Sequence, residues 1–121
     1  REYSIIKEGM MNRVYTGRRV KPEEKTVSDI EVKVQDAQGE RMLPLEPSLK
    51  LRNHSPTGFA WGYGGSGPAQ LALAILLDFT GDEKTALEYY QDFKWDFVGG
   101  WGDEWSIGAP EIEQWLERVV R

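Results

Sequence analysis

Three sets of residues have types and spacing that could do chemistry. The first is His54, the only histidine, with Ser55 beside it and Ser66 further on, in a chain without cysteine. A serine nucleophile needs a base, an acid to orient that base, and donors for the oxyanion. The arrangement would be Ser66 attacking, His54 as its base, and the backbone of Gly64-Gly65-Ser66-Gly67 giving N–H groups. Ser66 lacks the strand–G-x-S-x-G–helix elbow of hydrolases. A capping Ser66 and a loop-structuring His54 are the plainer reading, and a hydrolase is a remote alternative.

The second set is the loop that leads into the most apolar segment. Gly62, Gly64, Gly65 and Gly67 precede Pro68 and the uncharged run Ala69–Leu77. Unpaired N–H groups and the positive dipole end converge at a helix start. Residues 62–70 therefore predict either an anion pocket or a tight turn that lets a helix pack closely. As a pocket it would hold a nucleotide or another anionic metabolite between Trp61 and Tyr63, over Gly64, Gly65, Ser66 and Gly67. The counter-charge would come from Arg52, Arg18 or Arg19. A P-loop lysine and the dinucleotide fingerprint are both missing.

The third set is aromatic. Five tryptophans in 121 residues are hard to bury completely, so one or two are expected at the surface. Trp101, Asp103, Glu104 and Trp105, in a glycine-rich stretch, predict a protein-binding surface, because exposed aromatics beside charge are typical hot spots. Metal chemistry has little to work with. Asp78 with Asp82 and Asp92 with Asp96 lack a third ligand, so no metal and no cofactor is expected. Arg18, Arg19 and Lys21 are the densest basic cluster, either an anion or partner contact or a solvated strand end.

Charge narrows the partner further. The net charge is −5, but residues 1–60 hold eleven basic against nine acidic side chains, and residues 61–121 hold four against eleven. An acidic second half lacks the basic footprint of nucleic-acid binding and suits a basic protein partner. The apolar run is shorter than the ~20 residues that cross a bilayer, so no membrane association is expected. No signal peptide is evident, and the lack of cysteine fits a reducing, cytoplasmic setting.

The elements that must position these residues follow from periodicity. At this length and 40% hydrophobic content, residues 1–121 predict a single domain. Residues 2–20 alternate like one or two strands, with 1–10 as a candidate extension before Met10-Met11. The charged stretch 17–27 predicts an exposed loop. Ile30, Val32 and Val34 alternate with Glu31, Lys33 and Gln35, then Asp36–Glu40 turns and Arg41–Leu45 returns as an edge strand limited by Pro44. Residues 46–58 have no strong period. A buried helix is expected at Pro68–Phe79, with Gln70 needing a hydrogen-bond partner. Gly81 then stops it and Asp82 caps the next. Ala86, Tyr90, Phe93 and Phe97 make an apolar stripe, and Ile112, Trp115, Leu116, Val119 and Val120 make another, with Glu111, Glu113 and Glu117 outward. The expected fold is α+β: a small antiparallel sheet from the N-terminal half packed against three helices, the central one buried.

The chain also resembles a known family. Asn53-His54-Ser55-Pro56-Thr57-Gly58-Phe59, then Trp61-Gly62-Tyr63 and Gly64-Gly65-Ser66-Gly67-Pro68-Ala69-Gln70-Leu71-Ala72, carry the likeness, with Tyr15-x-Gly17 upstream and Gly81-Asp82 downstream. These are similar to a small group catalogued as domain of unknown function 6166, scattered through bacteria, archaea, phages and plasmids. The resemblance brings no activity and no catalytic residues. It implies accessory or counter-defence work for phages and other mobile elements. The expected function is thus a non-enzymatic binding module acting through a protein partner, with small-anion binding at the glycine-rich loop as the alternative.

Overall fold

The computed structural model describes residues 12–21, 23–24 and 28–120, so the strand and extension expected before residue 12 lie outside the described residues. By contact the chain falls into two compact units. Unit 1 combines the described residues up to Met42 with those from Glu104 onward, and unit 2 is Leu43–Asp103.

Unit 1 is an antiparallel sheet and one helix. Strands β1 (Val14–Arg19), β2 (Ile30–Asp36), β3 (Gly39–Met42) and β4 (Glu104–Gly108) lie in the order β3-β2-β1-β4. Alternation makes one face apolar: Tyr15 stands between Val34 and Ile107, and Gly17 between Val32 and Trp105. All of these except Gly17 are apolar side chains at 8% exposure or less. The opposite face carries Arg18 in ion pairs with Glu31 (2.8 Å) and Glu24 (3.0 Å), and Lys33 between Glu31 and Glu40. The β2–β3 turn is the expected one, with Asp36 accepting from the Gln38 N–H at 2.8 Å and Gly39 at φ 119°. Pro44 follows β3, which is an edge strand with all four residues exposed.

Gly17 is explained by a close approach. The indole of Trp105 passes within 2.3 Å of where a Cβ would stand, so any side chain there collides with a buried ring. Three expectations are corrected in this unit. The stretch around Trp105 is a strand rather than a loop, so the C-terminal half also contributes to the sheet; the alternation of Trp105 and Ile107 with Glu104 and Ser106 is too short to stand out beside Gly99, Gly100 and Gly102. The charged stretch from Gly17 begins as strand, because Arg18 and Arg19 complete β1. In helix α4 (Ala109–Val119), Glu113 is buried beside Ile112, although Glu111 and Glu117 are exposed as expected.

Unit 2 is helical. Helix α1 (Glu46–Leu51), with Pro47 in its first turn, occupies a segment whose six residues are too few to show a period. Helix α2 (Ser66–Thr80) is the expected central helix, buried from Gly67 to Leu76 and again at Phe79. It starts at Ser66, earlier than the expected Pro68, with Gly65 rather than Ser66 as its N-cap. Gly81 ends it in the left-handed conformation at φ 65°. Asp82 caps α3 (Glu83–Asp96) by accepting from the Lys84 N–H (3.1 Å) and the Thr85 hydroxyl (2.7 Å). The two helices pack together across this two-residue link. A short 3₁₀ turn, Val98–Gly100, follows. No helix among the described residues is long and apolar enough to cross a membrane.

Candidate functional site

The loop before α2 is fixed by the turn after α3. The Gly62 N–H donates to the Val98 carbonyl at 3.0 Å, and the Trp61 indole N–H donates to the Gly102 carbonyl at 2.6 Å. Trp61 is therefore a buried strut, 1% exposed, and not the wall of a pocket. Its neighbours explain the glycines. A Cβ on Gly64 would stand 2.4 Å from the Trp95 ring, one on Gly65 would stand 2.4 Å from the Tyr63 ring, and one on Gly67 would stand 2.6 Å from the Ala60 Cβ. The glycine backbone thus seats aromatic rings where the sequence had suggested an anion. Tyr63 and Trp95 rest on adjacent residues of this backbone and remain 54% and 65% exposed.

Gln70 locks the segment that precedes the loop. Its side-chain oxygen accepts from the His54 N–H (2.7 Å) and the Ser55 N–H (3.0 Å). Its amide nitrogen donates to the Ser48 hydroxyl (2.9 Å) and the Arg52 carbonyl (3.1 Å). One buried side chain therefore joins α1, residues 52–55 and α2. The His54 Nε2 sits 2.6 Å from the Tyr90 hydroxyl, and the Ser55 hydroxyl donates to the Gly58 carbonyl at 2.7 Å. His54 is thus held by Tyr90 and not by Ser66, which is exposed in the first turn of α2. Burial, with Arg52 and Lys94 nearby, holds the imidazole below its ordinary pKa and so in the neutral form.

Lys94 completes the site. Four residues after Tyr90, it lies on the inner face of α3 and is 7% exposed. Its ammonium donates to the Gly64 carbonyl at 3.4 Å and stands 4.3 Å from the centre of the Trp95 ring. That contact places a cation on the ring of an exposed tryptophan. On the outer face, Glu88, Gln91, Asp92 and Asp96 are exposed around Trp95.

The family model described as a family of unknown function, DUF6166, matches residues 15–118. The chain belongs to that family. No curated protein and no solved structure matches it.

Within this DUF6166 chain the residues expected at a site separate. Tyr63, Gly64, Gly65, Ser66 and Gly67 do form one loop, and Arg52 is exposed on the segment that Gln70 holds. The expected aromatic surface is corrected: Trp105 is buried in β4 and Trp101 is half-buried, while Asp103 and Glu104 are exposed. Arg18 is engaged by Glu24 and Glu31. Among the described residues, no three histidine, aspartate or glutamate side chains gather as a metal site requires. Two site residues escaped the sequence reading, and both had a signal. Trp95 falls off the stripe of Ala86, Tyr90 and Phe93, which sends it outward. Lys94 falls on that stripe, which is unusual for a cation.

Proposed function

We propose that this chain is a non-enzymatic binding module whose contact surface is centred on Tyr63 and Trp95. The observation that carries the reading is the exposure of these two large rings on a glycine backbone that fixes their place. Rigid aromatic anchors lose little entropy on binding and dominate interface energetics. The exposed acids Glu88, Asp92 and Asp96 beside Trp95 favour a basic protein partner. In the setting that the family resemblance implies, that partner would be a host protein met by a mobile element.

The test is retention from native lysate at low and high salt, wild type against Tyr63→Ala and Trp95→Ala. Both rings are exposed, so both variants keep the fold, which circular dichroism checks. A salt-sensitive partner held by the wild type and lost by both variants is the expected result. Retention that ignores both substitutions would remove the reading.

A further inference from the structure

We propose that unit 2 also holds a small-anion site, formed by Lys94, His54 and Arg52, that accepts a phosphate monoester. Gln70 holds Arg52 and His54 side by side, donating to the Arg52 carbonyl and accepting from the His54 N–H. The Tyr90 hydroxyl brings the His54 ring onto α3, and Lys94 lies four residues on, along the same face. The three residues are thereby neighbours in the fold, and the charges of Arg52 and Lys94 both bear on His54.

Lys94 gives the strongest reason for an anion. An ammonium has three donors, yet this one has a single long hydrogen bond to a carbonyl and a ring contact. Among the described residues, no carboxylate pairs with it. Buried lysines are ordinarily paired, because an uncompensated charge out of water is costly. Nearby, α2 begins without a side-chain cap and without an acidic residue in its first turn, so its positive end adds to the same field. Arg52 is exposed and His54 half-buried, so the cluster opens to water on their side.

A guanidinium fork, a point-charge ammonium and a neutral imidazole donor suit a phosphate dianion. The exposed Trp95 ring beside Lys94 would let a planar group on the ester stack. The three side chains that hold the phosphate are ones the partner reading does not need, and Trp95→Ala, which removes the partner contact, leaves Arg52, His54 and Lys94 in place.

The experiment titrates the full chain with inorganic phosphate and, separately, with AMP, following the ring protons of His54 by NMR. As the sole histidine it gives one assigned set of signals. Saturable shifts are expected with both probes. Equal affinity would mean that the phosphate group alone is read, and tighter AMP binding would mean that the Trp95 ring contributes. Arg52→Gln and Lys94→Met should each weaken binding by about tenfold or more, the loss of one charge-assisted contact. If Lys94→Met does not fold, Arg52→Gln decides, since that side chain is exposed. Unmoved His54 signals at millimolar probe, or undiminished binding by Arg52→Gln, would overturn the proposal.

Discussion

Replacing Gln70 with leucine tests whether a single buried amide holds unit 2 together. The change keeps the volume and removes four hydrogen bonds. The N–H groups of His54 and Ser55 share the lost oxygen and are only partly buried, so water recovers some of each bond. They should cost about 1 kcal/mol apiece, and the Arg52 carbonyl about the same. Ser48 loses less, because its hydroxyl still donates to the Leu45 carbonyl at 2.9 Å. Added apolar contact from leucine offsets about 1 kcal/mol. The net is a destabilisation of about 2–3 kcal/mol, or roughly 8–12 °C in Tm at about 4 °C per kcal/mol. Urea unfolding gives the free energy, and amide exchange shows where it acts. His54 and Ser55 should lose protection while Leu71–Ile75 keep theirs. A neutral or stabilised Gln70→Leu, with His54 and Ser55 still protected, would refute the idea that this network is required.

Other perturbations probe other parts. Gly17→Ala should destabilise by about 1–3 kcal/mol in urea unfolding, because its Cβ meets the buried Trp105 indole. Leu76→Ala, in the fully buried middle of α2, should cost about 2–5 kcal/mol in the same measurement. Asp82→Ala removes the α3 cap and should cost about 1 kcal/mol, with a smaller loss for Asp82→Asn. The His54 pKa is lower in the folded chain than its ordinary 6.5, so the unfolded chain takes up a proton first as pH falls. Its contribution to stability is complete above pH 6.5 and is lost as pH drops through the folded value. His54→Gln should flatten that part of the profile of urea midpoint against pH.

Much of the fold is legible in the sequence because long periods leave no choice. The alternation at Ile30–Val34, the uncharged run into α2 and the Gly81-Asp82 stop and start each specify one local structure. Two elements were not legible. Six residues in α1 are too few to display a helical period, the alternation in β4 is obscured by Gly99, Gly100 and Gly102 before it, and what places both is contact with distant residues: Gln70 on the one hand, β1 on the other. At the site, the glycines announced a special backbone but not its occupant. Whether a glycine admits an anion or an aromatic ring depends on a neighbour thirty residues away, such as Trp95 over Gly64. Exposure of Trp95 goes with its place off the α3 stripe, and burial of Lys94 with its place on it.

The sheet order has a consequence for synthesis. β1 pairs with β4 from Val14↔Gly108 to Arg18↔Glu104, while all of unit 2 is encoded between β3 and β4. As the chain leaves the ribosome, β1 therefore waits with one edge unpaired until unit 2 has emerged in full. During that interval Gly17 has no indole above it, and the growing protein presents a strand edge of the kind that joins other chains. A messenger cut short after the codon for Asp103 would leave every copy in that state. Translation of the five codons for Glu104–Gly108 thus governs whether that edge is closed or left as a seed for aggregation.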